Sequence, residues 1–267
     1  MRRIQMMRRY SKLTIKRLTE CGFREVRFAS SGSTKAVLTR RGKTIPLEKG
    51  FFYNVTTGLH GDEMDLNPQS PTYGQLSGNQ NGDFFGWEDE LLVKKEHGPH
   101  QGKRTYATWE KVPVHINHDP EYTCGFVSDT FPNFREKSIE MVMCTDLSKE
   151  YDLCERIRNG QQTDVSMGCD LLFSFCSSCG NCSFNDEDWC ECLSYYKGSR
   201  HPRTGRLVCE ILKQVTGVEL SHITEGVGAD ARAKNKEVLF MPELSRRSAK
   251  RKISELQSYY KQLLGIK

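Results

Sequence analysis

Nowhere in the 267 residues is there a run of 18 or more apolar side chains, so no helix is expected to span a bilayer. The basic start of the chain, with arginine at 2, 3, 8 and 9, lacks the apolar core that a secretory signal needs. Neither a membrane-spanning nor a Sec-secreted protein is expected. No internal repeat is visible, which speaks against a repeat architecture. Acidic residues are scarce at both ends. Residues 1–45 hold 13 Lys/Arg and 2 Asp/Glu, and residues 241–267 hold 7 and 2, while residues 46–240 hold 19 and 30. The net +5 is therefore an acidic body between two basic arms. Such arms suit an anionic partner, nucleic acid or an acidic protein surface, or are simply solvated helices; the body does not read as a nucleic-acid-binding face.

What is present is a core-forming length, enough for one or two domains, and 11 cysteines. Without a secretion signal, a disulfide framework is not expected. Five cysteines fall in one segment: Cys176, Cys179 and Cys182, then Cys190 and Cys192. A CxxC pair followed by Gly180 presents two thiolates to one tetrahedral ion, and Cys190 with Cys192 closes the set. Cys182 is the alternative ligand. Four protein ligands leave no open position, so one structural Zn2+ per chain is expected. Such a site contributes on the order of 10 kcal/mol to a short segment.

Along the chain, residues 10–45 read as a short basic helix followed by strand pieces at 26–28 and 36–38. Residues 54–92 are rich in Gly, Asn and Asp, and little regular structure is expected before a helix opening at Glu88. Short strands follow at 112–117, 123–127 and 138–143, then a helix over 148–159 stopped by Gly160. Further strand pieces lie at 171–175, 207–212 and 218–223. The tail, 243–264, repeats apolar residues at helical spacing opposite a basic face. The fold class is α+β and mostly β.

Two elements can carry chemistry. His115 and His118 stand at a strand end, and Ser166 stands in a V-S-x-G stretch closed by Gly168. A serine nucleophile needs a base within about 3 Å and donors for an oxyanion. Taken alone, these elements read first as an ordinary strand-end serine and a hydrogen-bonded surface histidine.

Their order and surroundings add more. An apolar strand runs into Asn117-His118-Asp119, then Gly125 and Val127, the strand at 138–143, Asp146, a helix ending at Gly160, and Ser166-Met167-Gly168. Upstream is N-x-N-G-D at 79–83; downstream are a CxxCG knuckle, V-E-L-S at 218–221, and Gly228, Asp230 and Ala233. This pattern resembles the prohead maturation proteases of tailed phages, serine peptidases related in fold to the herpesvirus assemblins. The resemblance covers roughly residues 58–240.

It implies a β-barrel-type core with flanking helices and a zinc-knuckle insertion at 176–192, within a protease domain of residues 51–240. The basic arm 1–50 and the amphipathic helix 241–267 flank it. It also implies Ser166 as nucleophile, His118 as base, and Glu219 as third member, with His222 and then Asp230 as alternatives. Backbone donors near Met167 and Gly168 would face the oxyanion. The implied substrates are capsid and scaffold proteins, cut inside the assembling prohead in the host cytoplasm; self-cleavage that removes the arms is suggested by their charge contrast with the body, and the sequence leaves it open. Some relatives close the knuckle with C-x-H where this chain has Cys190-Glu191-Cys192. The sequence leaves oligomeric state open. Competing readings are an HNH-like zinc-containing endonuclease, suggested by His115 and His118 with the zinc segment, and a catalytically inactive capsid-assembly protein. Nucleic acid is not expected as the primary partner, nor is a membrane.

Overall fold

The computed structural model describes residues 23–28, 36–40, 43–48, 50–65, 69, 76, 78–162, 164–224 and 233–240. The expected basic helix within 10–45, the tail helix and Asp230 lie outside them.

The framework is a seven-stranded sheet in the order β14-β4-β8-β7-β6-β13-β9. Its members are β4 (Phe51–His60), β6 (Pro113–Ile116), β7 (Asp119–Asn133), β8 (Ser138–Asp146), β9 (Val165–Asp170), β13 (Thr216–His222) and β14 (Asn235–Phe240). Next to the β14 edge, β4 and β8 pair antiparallel, and both are buried along nearly their whole length. Period-2 alternation assigns the two faces of β8 to different cores. Ile139, Met141 and Met143 join the large cluster around Trp109, Val114 and Leu220. Val142 and Cys144 join Tyr53, Val55, Phe131 and Leu239. That second face is covered by Ile45 and Leu47 of β3 (Lys43–Leu47), which belongs to a small sheet with β1 (Phe23–Phe28) and β2 (Ala36–Arg40).

Strand β4 overturns the expectation of little regular structure after residue 54. Its Asn54, Thr56 and Thr57 are fully buried, so it carries no hydrophobic alternation to read. Two of these side chains bond across the sheet: Asn54 Nδ2 donates to Asn235 Oδ1 at 2.5 Å, and Thr56 Oγ1 to the Lys234 carbonyl at 2.9 Å. The helix expected to open at Glu88 is a single π-helical turn, Trp87–Leu91.

The helix expected over 148–159 is α1 (Tyr151–Arg158). It starts later because Ser148 donates through both its N–H and its hydroxyl to Asp146 Oδ1. It packs Leu153, Cys154 and Ile157 on Phe52 and Leu147, and Gly160 at φ 70° ends it.

A closed β-barrel is not formed among the described residues, which corrects the barrel-type core implied above. The sheet has two edge strands, β14 and β9, and only an isolated bridge between Asp164 and Lys234 links their ends. The architecture is mostly β with few helices.

A four-stranded sheet stands beside this one, ordered β11 (Cys182–Ser183), β10 (Phe173–Cys176), β12 (Glu210–Lys213) and β5 (Asp83–Phe84). The turn from β12 into β13 is clamped from both sides. Glu90 accepts the Gln214 and Val215 N–H groups at 2.9 and 2.8 Å, while Lys95 Nζ donates to the carbonyls of the same residues at 2.7 and 2.9 Å. Burial pushes the Glu90 carboxyl up and the Lys95 ammonium down. The clamp fixes where β13 begins.

Trp109, fully buried, lies against Gly217 of β13, where a Cβ would come within 2.5 Å of the indole. Trp109→Ala removes the largest side chain under β13. Urea unfolding should show a loss of about 3–5 kcal/mol.

Candidate active site and metal centre

Strands β6 and β7 form a hairpin in which Ile116 pairs with Asp119, leaving Asn117 and His118 as a two-residue loop. Both are left-handed, with φ 52° and 63°. Two positive φ values are what a tight hairpin turn of matching twist demands, and Asn and His tolerate them better than most residues. The sequence thus places His118 at a hairpin tip rather than merely at a strand end.

The tip is tied to β13. Asn117 donates its N–H to the His222 carbonyl at 2.9 Å, and its side chain exchanges two bonds with Thr224. His118 donates its N–H to Ser221 Oγ at 3.1 Å. Its Nδ1 lies 2.7 Å from Glu219 Oε1, and Glu219 Oε2 accepts the Ser221 hydroxyl at 2.6 Å. The bond to Glu219 raises the His118 pKa, against the opposing effect of partial burial. With Nδ1 held as donor to the carboxylate, Nε2 is the nitrogen left to accept a proton.

Strand β9 brings the serine. Ser221 stands opposite Ser166 and Glu219 opposite Gly168 in the antiparallel ladder, so all four occupy one face of the sheet. Ser166 is 6% exposed, and with His118 it lines a cleft of about 740 Å³. No hydrogen bond joins the Ser166 hydroxyl to His118.

Gly168 has a role that the sequence did not suggest. A Cβ there would lie 2.6 Å from Glu219 Oε1, so the glycine makes room for the carboxylate. The open-edge donor is its neighbour. Val165 points its N–H away from β13, to the Ala233 carbonyl, and strand alternation turns the Met167 N–H to the same side.

His222 does not share this arrangement. Adjacent to Ser221, it faces the other side of the sheet, fully buried, with Nε2 3.2 Å from Thr145 Oγ1. Burial alone pushes its pKa down to about 4. His115, also buried, is engaged by Thr123 Oγ1 at 2.9 Å. Ser221 went unread as a site residue. The signal was available in the E-x-S spacing, which sets both side chains on one face of a strand.

The cysteines converge independently. The Sγ atoms of Cys176, Cys179, Cys190 and Cys192 all lie within 4.8 Å of one another. Four thiolates at about 2.3 Å from a tetrahedral ion would stand about 3.8 Å apart, so the set fits a metal. Cys182 is exposed on β11 and stands outside the group. The knuckle forms as its spacing requires: Gly180, at φ 75°, donates to the Cys176 carbonyl at 2.9 Å, and the Ser178 N–H reaches Cys176 Sγ at 3.3 Å. Cys190 begins α2 (Glu191–Tyr196). Burial opposes its ionisation, but backbone N–H groups of Leu193 and Cys192 and the thiols of Cys179 and Cys176 bring its pKa below the ordinary value.

The segment between the cysteine pairs reaches the cleft of Ser166 and His118. Phe184, Asp186 and Trp189, between the cysteine pairs, line it together with Ser166 and His118. Lys197 anchors this wall, pairing with Asp83 at 2.8 Å and with Glu210, and lying 4.8 Å from the Trp189 ring centroid.

Comparison with protein-family models, with curated proteins and with solved structures finds no match to this chain.

Gly168→Ala should displace Glu219 from His118, and the His118 titration midpoint followed by NMR should fall toward that of an ordinary histidine. Elemental analysis should find about one metal ion per chain, lost on joint replacement of Cys176 and Cys179 by serine.

Proposed function

We propose that this chain is a serine endopeptidase of the prohead-protease type, cutting scaffold and capsid proteins during phage head assembly, itself included. The observation that carries the reading is one sheet face bearing Ser166, Ser221 and Glu219, with the His118 ring bonded to Glu219 and opening on the same cleft. The resemblance in motif order supplies the substrate class.

In this reading Ser166 Oγ attacks a scissile carbonyl as His118 Nε2 takes its proton, and His118 then returns that proton to the leaving amine. Glu219 keeps Nδ1 protonated and stabilises the imidazolium that forms. In this reading the Met167 N–H donates to the oxyanion. Water then releases the acyl group by the same route in reverse. The four-thiolate site holds zinc, an ion that suits a closed sulfur set, and its role is structural. The basic arms carry the enzyme to acidic surfaces of the assembling shell.

An inactive assembly protein is the second reading, favoured by the missing bond between Ser166 and His118. Catalytic bonds are often long before substrate arrives. The nuclease reading has less support, because after His118 the described chain runs into a 15-residue strand rather than the helix an HNH site needs.

A fluorophosphonate should label Ser166 in the wild type. Co-expression with scaffold and capsid proteins should give fragments that vanish in Ser166→Ala and His118→Ala, with rate losses on the order of 10⁴ or more. Since His118 must be neutral to act and its pKa is raised, activity should rise with pH through that raised value. Glu219→Gln should move this acid limb to lower pH while reducing the maximum rate. Unchanged processing in both alanine variants would refute the proposal.

A further inference from the structure

We infer that Ser221 is a positioning residue of this site, a buried hydroxyl that fixes both the carboxylate and the turn on which His118 depends. Its purpose rests on the peptidase reading above, but its geometry does not. Ser221 has no exposed surface. Its Oγ donates to Glu219 Oε2 and accepts the His118 N–H, using both capacities of a hydroxyl at once.

The two bonds do different work. With Oε1 engaged by His118 Nδ1, each oxygen of Glu219 has a partner of its own, and the carboxylate cannot rotate without breaking one of the pair. The second bond acts on the backbone. Asn117 and His118 occupy the left-handed region, where small rotations swing the imidazole through large arcs, and the amide bond to Ser221 pins that turn to β13. Ser166 stands directly across the ladder from Ser221. One side chain therefore sets the base and its carboxylate partner relative to the strand that carries the nucleophile. Alanine at 221 leaves Glu219 Oε2 and the His118 N–H short of a partner.

The test uses the full chain with ¹³C-labelled histidine. The His118 titration is followed by NMR, and fluorophosphonate labelling of Ser166 is timed in the wild type, Ser221→Ala and Ser221→Thr. Ser221→Ala should lower the His118 midpoint and slow labelling about tenfold or more. Ser221→Thr, which keeps the hydroxyl, should recover most of both. A His118 midpoint unmoved or raised in Ser221→Ala would overturn the inference, whatever the change in melting temperature, since that is what a merely structural serine predicts. Hydrogen exchange of the His118 amide in the wild type gives a second reading that needs no variant to fold. Protection supports the bond to Ser221, and exchange at the rate of an open turn overturns it. Failure of Ser166 to label in the wild type counts against the peptidase reading alone, because the His118 midpoint and amide are measured without it.

Discussion

Strand β13 is hydrogen-bonded on both sides, parallel to β6 and antiparallel to β9, and the site depends on that double pairing. Residues 118, 166 and 219 are far apart in sequence, and no local preference brings them together. The ladder does so through register: a shift of one residue in β13 would turn Glu219 and Ser221 into the core and bring His222 and Leu220 to the cleft. The register is held at one end by the Glu90 and Lys95 clamp and at the other by Asn117 and Thr224. Two buried hydrophobic cores on either side of β4 and β8 supply the free energy, and a handful of polar contacts decide where the strands stop.

How far the sequence could be read follows from how local each feature is. The cysteine centre was legible because its spacing is its geometry, with a CxxC turn and a second pair after ten intervening residues. The helix ending at Gly160 and the strands around Val114, Met141 and Leu220 were legible because apolar periodicity marks them. Strand β4 was hidden because it is buried on both faces, and the cross-strand bonds of Asn54 Nδ2 and Thr56 Oγ1 are announced by no local pattern. For Glu219 and His222 the obstacle was different. They lie three residues apart, and only the faces of a paired strand separate the one beside His118 from the one sealed against Thr145. At Gly168 the tertiary reason is invisible in the sequence, since its missing side chain makes room for the carboxylate opposite.

The polar interior is arranged so that each buried charge is met by several partners. Glu210 accepts from Ser174 and Trp189 while pairing with Lys197, and Lys197 also reaches Asp83. Buried pairs of this kind add little net stability, because desolvation offsets their attraction. They define position instead. Here they dock the cysteine-bearing segment against β5 and β12, so that a region with few apolar residues of its own still takes one orientation beside the cleft.

Strand β9 has a partner on one side only, and an unpaired strand edge is ordinarily a hazard, since it invites other chains to add to the sheet. In this molecule the edge is fenced. At its start Ala233 and Lys234 cross it, and Phe184 and Trp189 line the cleft that its Ser166, Met167 and Gly168 also line. The bridge at Asp164 and Lys234 occupies this edge only at its start, so a chain that added to the sheet here would have to do so beyond Val165.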